Sequence, residues 1–467
     1  MMTDASGSFD ERERVLVIGL GRSGIASCAV LRARRCTVDA TDEKDRAALD
    51  TVVTELERTG VRFVPPGAVA GALGQLTSCV VSPGVPLTSN LVRLVQAARV
   101  PVYSEIEVAY RISQAPLVAV TGTKGKTTTT ALVGALFCNA GKTTHVGGNI
   151  GNALIHETFV ARAEDWVVAE VSSFQLESIR SFKPRIATIL NLSPDHLDRY
   201  HSMDEYGEAK FRIFANQSAG DTFVGNLDDA IVGSLAEGDG AKRIRARTLW
   251  YGVAPRRATA LYVRRDRITY APPTGDPRPL EIMPVSEIPL LGRHNVSNVL
   301  AALLIGLAAD LDPEHMRDAV RRFEPLPHRL QLVAERDGVR YVDDSKSTNP
   351  GSVVAALEAL LQPLILIAGG KAKRTDFRAM GEAIDARVKF VVAIGEAADD
   401  IEAAVGVPPV ARAASMDEAV ALARERALPG DTVLLSPGCA SFDMFSSAEA
   451  RGDAFARAAG ALAGARG

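Results

Sequence analysis

The stretch VAVTGTKGKTT, residues 118–128, has the pattern of a phosphate-binding loop. Its apolar residues predict a buried strand, its glycines predict a turn, and residues 131–137 predict the helix that follows. Amide N–H groups at the start of such a helix, together with the helix dipole, face an anion. Lys126 suits the β- and γ-phosphates of a nucleotide, and the Thr127 hydroxyl suits Mg²⁺. A Gly/Lys-rich surface turn is the alternative, which the flanking strand and helix disfavour.

The loop is a variant, because the spacing Gly122-x-x-Gly125-Lys126-Thr127 is shorter than the common Gly-x-x-x-x-Gly-Lys-Ser/Thr. The remaining composition is that of an ordinary globular protein. The chain has 467 residues, 47% hydrophobic and 23% charged, a length typical of about three domains. A net charge of −3 argues against binding nucleic acid or an anionic membrane through bulk charge. Five cysteines without a Cys-x-x-Cys pair predict reduced thiols and a cytoplasmic protein.

Short apolar strands alternate with helical segments along the chain, which predicts α/β domains with parallel sheets covered on both faces. No apolar run reaches the roughly 20 residues of a membrane span. Residues 253–289 predict a small antiparallel appendage on the middle domain. The predicted organisation is a flexible tail (1–14), an N-terminal Rossmann-like domain (15–110), a central P-loop ATPase-type domain with a mostly parallel sheet (111–325) and a C-terminal Rossmann-like domain (326–467).

The segment GLGRSG, residues 19–24, follows a strand and opens a helix, and Asp42 comes about 20 residues later. This spacing leaves three interpretations open. The turn could bind NAD with Asp42 on a ribose, bind the pyrophosphate of a nucleotide-diphosphate sugar, or be a tight turn without a ligand. The segment Ser82-Pro83-Gly84 ends another strand at the same edge, where it lines the same ligand or only turns the chain.

Polar residues in the middle domain also follow predicted strands. Glu170 ends one strand, and Asp195 and His196 follow the next. A carboxylate and an imidazole beside a phosphate loop suit an Mg²⁺ that bridges to phosphate. Because His is an uncommon Mg²⁺ ligand, His196 is equally well a substrate contact or a helix-start residue. Lys210 lies on a downstream amphipathic helix, where a solvated lysine is the default interpretation.

The motifs together resemble the Mur ligase family of cell-wall peptide synthetases. The resemblance spans nearly the whole chain and keeps the family's motif order. The remaining matching segments are GGN (147–149), EVSSFQL (170–176), DHLDRY (195–200), HNVSN (294–298), LPHR (326–329), DSKSTN (344–349), GGKAK (369–373) and SPGCASFD (436–443). The glycine opening, the SFQLE segment and the SPxCASxD ending are similar to the branch that adds glutamate to UDP-N-acetylmuramoyl-L-alanine. This resemblance favours UDP over NAD at residues 19–24.

The resemblance implies an ATP-dependent ligase of cytoplasmic peptidoglycan precursor synthesis, working through an acyl phosphate. D-glutamate is the commoner acceptor in the family and L-glutamate the alternative. A monomer with two Mg²⁺ sites, and with Lys210 carried as a carbamate, is also implied. The implied small-molecule partners are UDP-N-acetylmuramoyl-L-alanine and glutamate, with neither nucleic acid nor membrane. Less favoured alternatives are an NAD-dependent dehydrogenase and a non-catalytic, nucleotide-regulated binding protein.

The residues that the resemblance assigns fall into five groups. The catalytic set is Lys126, Glu170, His196 and Lys210, and the implied metal ligands are Thr127, Glu170, His196 and carbamylated Lys210. The implied ATP contacts are Gly122, Thr123, Lys124, Gly125, Lys126, Thr127, Thr128, Asn295, Arg329 and Asp344. The implied contacts to the UDP substrate are Arg22, Ser23, Asp42, Lys44, Ser82, Gly84 and Asn149. The implied glutamate contacts are His328, Lys346, Thr348, Lys373, Ser441 and Phe442.

Two positions depart from the family pattern. Lys124 stands where the loop often has Asn, which adds positive charge and favours tighter phosphate binding. Ala448 falls where some relatives place an aromatic residue near the glutamate.

Overall fold

The computed structural model describes residues 9–195, 199–272, 278–324, 327–360, 363–372 and 375–462. Each of the three domains is α/β and has its own sheet, as the sequence predicts. The chain forms two compact units, Met1–Ile288 with Ser297–Phe323, and Pro289–Val296 with Glu324–Gly467. The first unit holds two of the sheets and the second unit holds the third. The limits of the individual domains stay predictions. No helix in the described ranges combines the length and the apolar character needed to cross a bilayer.

The first sheet is parallel throughout, in the order β3-β2-β1-β4-β5. Its strands are β1 (Arg14–Ile18), β2 (Thr37–Thr41), β3 (Arg62–Phe63), β4 (Ser78–Val81) and β5 (Val102–Ser104). Its helices are α1 (Arg22–Ala33), α2 (Asp50–Arg58), α3 (Val69–Ala72), α4 (Asn90–Ala97) and α5 (Glu105–Ile112). The predicted tail is wrong for its described part, because Phe9 is fully buried and packs edge-on against Tyr103. Burial of an aromatic ring removes enough apolar surface from water to hold the segment in place.

The second sheet has nine strands in the order β14-β13-β12-β11-β10-β9-β6-β8-β7. The strands are β6 (Leu117–Thr121), β7 (Thr144–Gly148), β8 (Trp166–Glu170), β9 (Ile186–Ile189), β10 (Thr222–Asn226), β11 (Arg247–Tyr251), β12 (Thr259–Arg264), β13 (Arg267–Tyr270) and β14 (Leu280–Pro284). The accompanying helices are α6 (Lys126–Asn139), α7 (Leu154–Val160), α8 (Ser173–Leu176), α9 (Met203–Phe211), α10 (Ala230–Gly233), α11 (Gly238–Lys242), α12 (Arg293–Ala308) and α13 (Pro313–Arg321). Only the pairs β12/β13 and β13/β14 are antiparallel among these described strands, which confirms the predicted appendage.

The third sheet has the order β15-β16-β20-β17-β18-β19 and is parallel apart from its edge strand β15. Its strands are β15 (Gln331–Arg336), β16 (Val339–Asp343), β17 (Leu364–Gly369), β18 (Val388–Ile394), β19 (Val410–Ala413) and β20 (Thr432–Gly438). Its helices are α14 (Pro350–Ala359), α15 (Arg378–Arg387), α16 (Ala398–Ala404), α17 (Met416–Arg426) and α18 (Ala448–Ala461). The two central strands β17 and β20 are buried along their whole length, as expected for a sheet covered on both faces.

Candidate active site

The phosphate loop lies between the two strands that carry the other predicted polar residues. β6 pairs in parallel with β8 on one side and with β9 on the other. Val120 is in register with Glu170, and Thr121 with Ile189. Parallel strands end at the same edge, where ligands of open α/β sheets bind. The fold therefore brings the loop, Glu170 and the residues after β9 to one edge of the second sheet.

The loop presents the start of α6 in a conformation that needs glycine. Gly125 precedes the helix with φ +81°, a region that L side chains rarely adopt. A Cβ at this position would lie 2.3 Å from Asn298 Oδ1, so the neighbouring helix also leaves no room for a side chain. Because the first amides of a helix have no intrahelical partner, this end of α6 suits an anionic group.

The two loop lysines have different surroundings. The Lys126 ammonium donates hydrogen bonds to Gly122 O at 2.9 Å and Thr123 O at 2.8 Å, which keeps its charge over the loop. Lys124 is exposed, and Asn191 clamps its backbone. The Lys124 N–H donates to Asn191 Oδ1 at 2.8 Å, and Asn191 Nδ2 donates to Lys124 O at 3.0 Å. Asn191 therefore orders the loop from the end of β9.

Glu170 is the residue that best fits a metal ion. Its side chain is only 2% exposed, and its Oε1 accepts a hydrogen bond from Asn149 Nδ2 at 2.8 Å. Its Oε2 is buried and has no hydrogen-bond partner in the described chain. An unpaired buried carboxylate oxygen is costly, and a hard cation is a suitable partner for it. The described residues hold no cluster of three His, Cys, Asp or Glu side chains, so Mg²⁺ here would take further oxygens from a hydroxyl or from phosphate.

Lys210 is not the solvated lysine of the default interpretation. It lies on α9 with 1% of its surface exposed, and its Nζ is 4.8 Å from the centre of the Tyr206 ring. Burial, with a smaller contribution from the nearby Lys126 charge, lowers the pKa of Lys210 from 10.5 to about 7. A large fraction of this amine is therefore neutral and nucleophilic at neutral pH.

Two predicted residues cannot be placed with the others. His196 and Lys373 lie outside the described residues, so their roles stay predictions. Asp195 is described, and it is exposed at the end of the segment that follows β9. Thr127 and Thr128 lie half-buried in the first turn of α6.

The predicted UDP residues surround the glycine turn after β1. Asp42 orders this turn, because its carboxylate accepts the Leu20 N–H at 2.7 Å and the Lys44 N–H at 3.1 Å. The Ser82 hydroxyl donates to Gly19 O at 2.7 Å from the end of β4. Asp42 and Ser82 therefore stabilise the turn, whether or not they also contact a ligand.

The same turn approaches the middle domain within the first unit. Arg22 Nη2 donates a hydrogen bond to Asn149 O at 3.4 Å, which links the turn after β1 to the loop after β7. Asn149 in turn bonds Glu170, so a chain of contacts runs from the glycine turn to the phosphate loop's edge. Arg22, Lys44 and Gly84 are exposed, and Ser23 is half-buried.

In the second unit, a buried carboxylate pair follows β16. Asp344 accepts hydrogen bonds from Ser347 Oγ at 2.5 Å and Ser436 Oγ at 2.8 Å, and burial raises its pKa to about 6. Asp343 bonds His328 Nδ1 at 2.7 Å, and burial raises the pKa of this carboxyl too. The structure thus brings His328 and Asp344 to the end of β16, and their ligand contacts stay predictions.

The other predicted residues of this unit differ in their exposure to solvent and in their polar contacts. Lys346 forms an ion pair with Glu449, and Ser441 is 2% exposed. Phe442 is 66% exposed and Thr348 is exposed as well. Arg329 is exposed, whereas Asn295 is buried and donates to Leu291 O at 2.6 Å.

Several residues of the site were missed by sequence reasoning. Asn191, Asn298 and Tyr206 lie against the phosphate loop, and the Tyr206 hydroxyl is 3.3 Å from Thr123 Oγ1. One signal for Tyr206 was available, because it precedes Lys210 by four residues and so shares its helix face. Arg451 was missed in the second unit, where it is 1% exposed. Nothing in its local pattern distinguishes it from a surface helix arginine.

Three family models match successive parts of the chain. They are described as Mur ligase MurD-like, N-terminal domain (residues 13–104), Mur ligase middle domain (residues 120–306), and Mur ligase, glutamate ligase domain (residues 328–439).

Curated relatives match over nearly the whole chain. The UDP-N-acetylmuramoylalanine--D-glutamate ligase of Pelotomaculum thermopropionicum is 42% identical over 95% of this chain and 96% of its own length. The Pelobacter propionicus ligase of the same name is 43% identical over 96% of this chain and 99% of its own length.

Solved structures share the fold at low identity. MurF ligase from Thermotoga maritima in complex with ADP has a TM-score of 0.58 and 16% identity, covering 96% of this chain and 98% of its own. UDP-N-acetylmuramate-alanine ligase MurC from Thermotoga maritima has a TM-score of 0.57 and 19% identity, covering 96% and 99%. These similarities support the three-domain architecture.

Replacing Lys210 with Met should stabilise the protein at neutral pH in buffer free of nucleotide, Mg²⁺ and bicarbonate. The folded-state pKa of about 7 lies below the usual 10.5, so the unfolded chain binds more protons between these values. The destabilising effect of Lys210 is therefore full below pH 7 and fades as pH rises. The Met variant's advantage should shrink by on the order of 2 kcal/mol between pH 7 and pH 9.

Urea unfolding followed by tryptophan fluorescence measures this difference, since Trp166 and Trp250 both lie in the second sheet. The exposed lysine Lys142 provides the matched control, and Lys142→Met should show no such pH dependence. A constant difference between wild type and Lys210→Met from pH 7 to 9 would contradict the depressed pKa.

Proposed function

This chain belongs to the Mur ligase family, and we propose that it joins D-glutamate to UDP-N-acetylmuramoyl-L-alanine with ATP as the energy source. The observation that carries the proposal is the geometry around β6, where a phosphate loop, an unpaired buried carboxylate oxygen and a buried lysine meet. Relatives of 42% and 43% identity that are named for D-glutamate addition support D over L. A cytoplasmic peptidoglycan precursor step and a monomeric enzyme are part of the proposal.

The proposed reaction has two steps. An oxygen of the alanine carboxylate attacks the γ-phosphorus of ATP and forms an O–P bond. The bond between the γ-phosphorus and the β–γ bridging oxygen breaks, and ADP leaves with that oxygen and its electron pair. The glutamate amine then attacks the acyl carbon, loses a proton, and phosphate leaves with the oxygen that the carboxylate contributed. Both steps gather negative charge, so positive groups held in place before the reaction lower the barrier.

The residues of the first unit supply such groups. The Lys126 ammonium and the first backbone amides of α6 would face the phosphates. Thr127 and Glu170 would hold one Mg²⁺, which screens phosphate charge when bound. Glu170 fits this role because its Oε2 is buried without a partner.

Lys210 would serve as a carbamate. Its neutral amine attacks the carbon of CO₂, an N–C bond forms and a proton is released, which turns a cationic side chain into an anionic oxygen ligand. The carbamate would offset the charge of the nearby Lys126, which contributes to the lowered pKa of Lys210. With His196, it would hold a second Mg²⁺.

The remaining assignments are proposed as the motifs give them. The turn after β1, with Arg22, Ser23, Asp42, Lys44, Ser82 and Gly84, would bind the uridine diphosphate, and Asn149 the sugar substrate. The nucleotide would also contact Asn295, Arg329 and Asp344. Glutamate would contact His328, Lys346, Thr348, Lys373, Ser441 and Phe442.

A coupled phosphate-release assay tests the function. Purified protein with UDP-N-acetylmuramoyl-L-alanine, ATP and Mg²⁺ is given D-glutamate or L-glutamate in parallel, and omission of the UDP substrate gives the background. We expect release with D-glutamate and none above background with L-glutamate. Release with L-glutamate alone would overturn the stereochemical assignment, and no release with either would overturn the function.

Lys210→Ala tests the carbamate. We expect a loss of at least about 100-fold in turnover, because an anionic metal ligand is removed. Acetate at millimolar concentration should restore part of the rate by supplying a carboxylate in the vacated space. The control is Lys142, an exposed lysine in the same domain. The Lys142→Ala variant should keep wild-type turnover and show no response to acetate. Wild-type turnover in Lys210→Ala would remove the carbamate from the mechanism.

A further inference from the structure

Arg451 is a buried arginine whose hydrogen bonds all end on neutral oxygens. It lies in the first turn of α18 and is 1% exposed. Its Nε donates to Ser345 Oγ at 3.0 Å and its Nη2 to Ser345 O at 2.9 Å. Its Nη1 lies 3.1 Å from Cys439 O and 3.4 Å from both Gly369 O and Ala440 O.

These contacts join the loops that follow three neighbouring strands. Ser345 follows β16, Gly369 ends β17, and Cys439 and Ala440 follow β20. The loops after β16 and β20 carry residues predicted to contact glutamate. These residues are Lys346 and Thr348 after β16, and Ser441 and Phe442 after β20. One planar guanidinium thus sets the spacing of all three loops.

The same contacts orient peptide groups of these loops. In a trans peptide the N–H points away from its C=O, so a carbonyl held by Arg451 directs the next N–H outward. The Lys346 N–H is directed in this way to His328 O at 3.1 Å. Ala440 O also accepts a hydrogen bond from the Lys371 N–H at 2.8 Å. Within the described chain the Ser441 N–H that follows makes no hydrogen bond, which leaves it as a donor for a ligand.

The charge of Arg451 is not neutralised by an ion pair among the described residues. Burial lowers the pKa of its guanidinium to about 10, so the group remains charged at neutral pH. The carboxylates of Asp443 and Asp343 are close enough to raise this pKa, although neither forms an ion pair with Arg451. Glutamate carries two carboxylates, so its charge is opposite to that of the guanidinium.

The helix that carries Arg451 approaches the other predicted glutamate contacts as well. A Cβ at Gly452 would lie 2.1 Å from His328 Nδ1 and 2.5 Å from Asp343 Oδ2, so only glycine permits this distance. Glu449, in the same turn, pairs with Lys346. The first turn of α18 therefore lies next to both His328 and Lys346, two of the residues predicted to contact glutamate.

We propose that Arg451 is a positioning residue that sets the affinity for glutamate by holding the loops after β16, β17 and β20 in one arrangement. The proposal rests on the proposed function. Arg451 acts through Ser345, Gly369, Cys439 and Ala440, and it is buried behind them.

The test is Arg451→Lys, which keeps a positive charge but offers three donors on a point-like group. We expect the KM for D-glutamate to rise roughly 10- to 100-fold, with the KM values for ATP and the UDP substrate within about 3-fold of wild type. The matched control is Arg457→Lys, an exposed arginine later on the same helix, which should leave all three KM values unchanged. Thermal unfolding of each variant reports whether the fold is intact.

An unchanged KM for glutamate in folded Arg451→Lys would overturn the proposal, and so would an equal rise in all three KM values. If this variant does not fold, Ser345→Ala takes its place. That change removes the hydroxyl that accepts from Arg451 Nε and donates to Ala448 O at 2.7 Å. Its KM for glutamate should rise several-fold, and no rise would overturn the proposal. Absence of ligation in the wild type would instead contradict the proposed function, so the two failures are distinguishable.

Discussion

The candidate active site depends on the position of β6 between β8 and β9. This parallel arrangement sends the phosphate loop, Glu170 and the segment after β9 to the same edge of the sheet. Asn191 then clamps the loop backbone and Asn298 packs against Gly125, so the anion-binding amides of α6 are held before a ligand arrives. A site arranged in advance does not have to reorganise when charge develops.

Lysines lie at this edge together with the carboxylates of Glu170 and Asp195. Lys126 lies over the loop, and Lys210 is buried close enough for the two ammonium groups to repel. In the second unit Arg451 is buried and forms no ion pair with the other described residues. Such charges reduce stability in the free protein and are offset by anionic partners. Phosphates, a carbamate and the carboxylates of glutamate are the partners that the proposed reaction supplies.

The sequence predicted most of the fold, because parallel sheets covered on both faces have readable apolar strands with glycine or polar residues at their ends. The three sheets and the antiparallel appendage follow this pattern. This pattern of apolar strands does not predict which individual polar residues are buried. Lys210 and Arg451 lie on helices whose local pattern fits solvent exposure, and only tertiary packing buries them. Phe9 was assigned to a tail because its polar neighbours hide a single buried ring.

The central claim is that ATP activates the substrate carboxylate as an acyl phosphate. The most direct measurement uses UDP-N-acetylmuramoyl-L-alanine labelled with ¹⁸O in the alanine carboxylate, with ATP, Mg²⁺ and D-glutamate. The mass of the released phosphate is then determined. We predict that each phosphate carries one ¹⁸O, because the leaving group takes a carboxylate oxygen with it. Phosphate without ¹⁸O, formed together with the ligated product, would contradict the account.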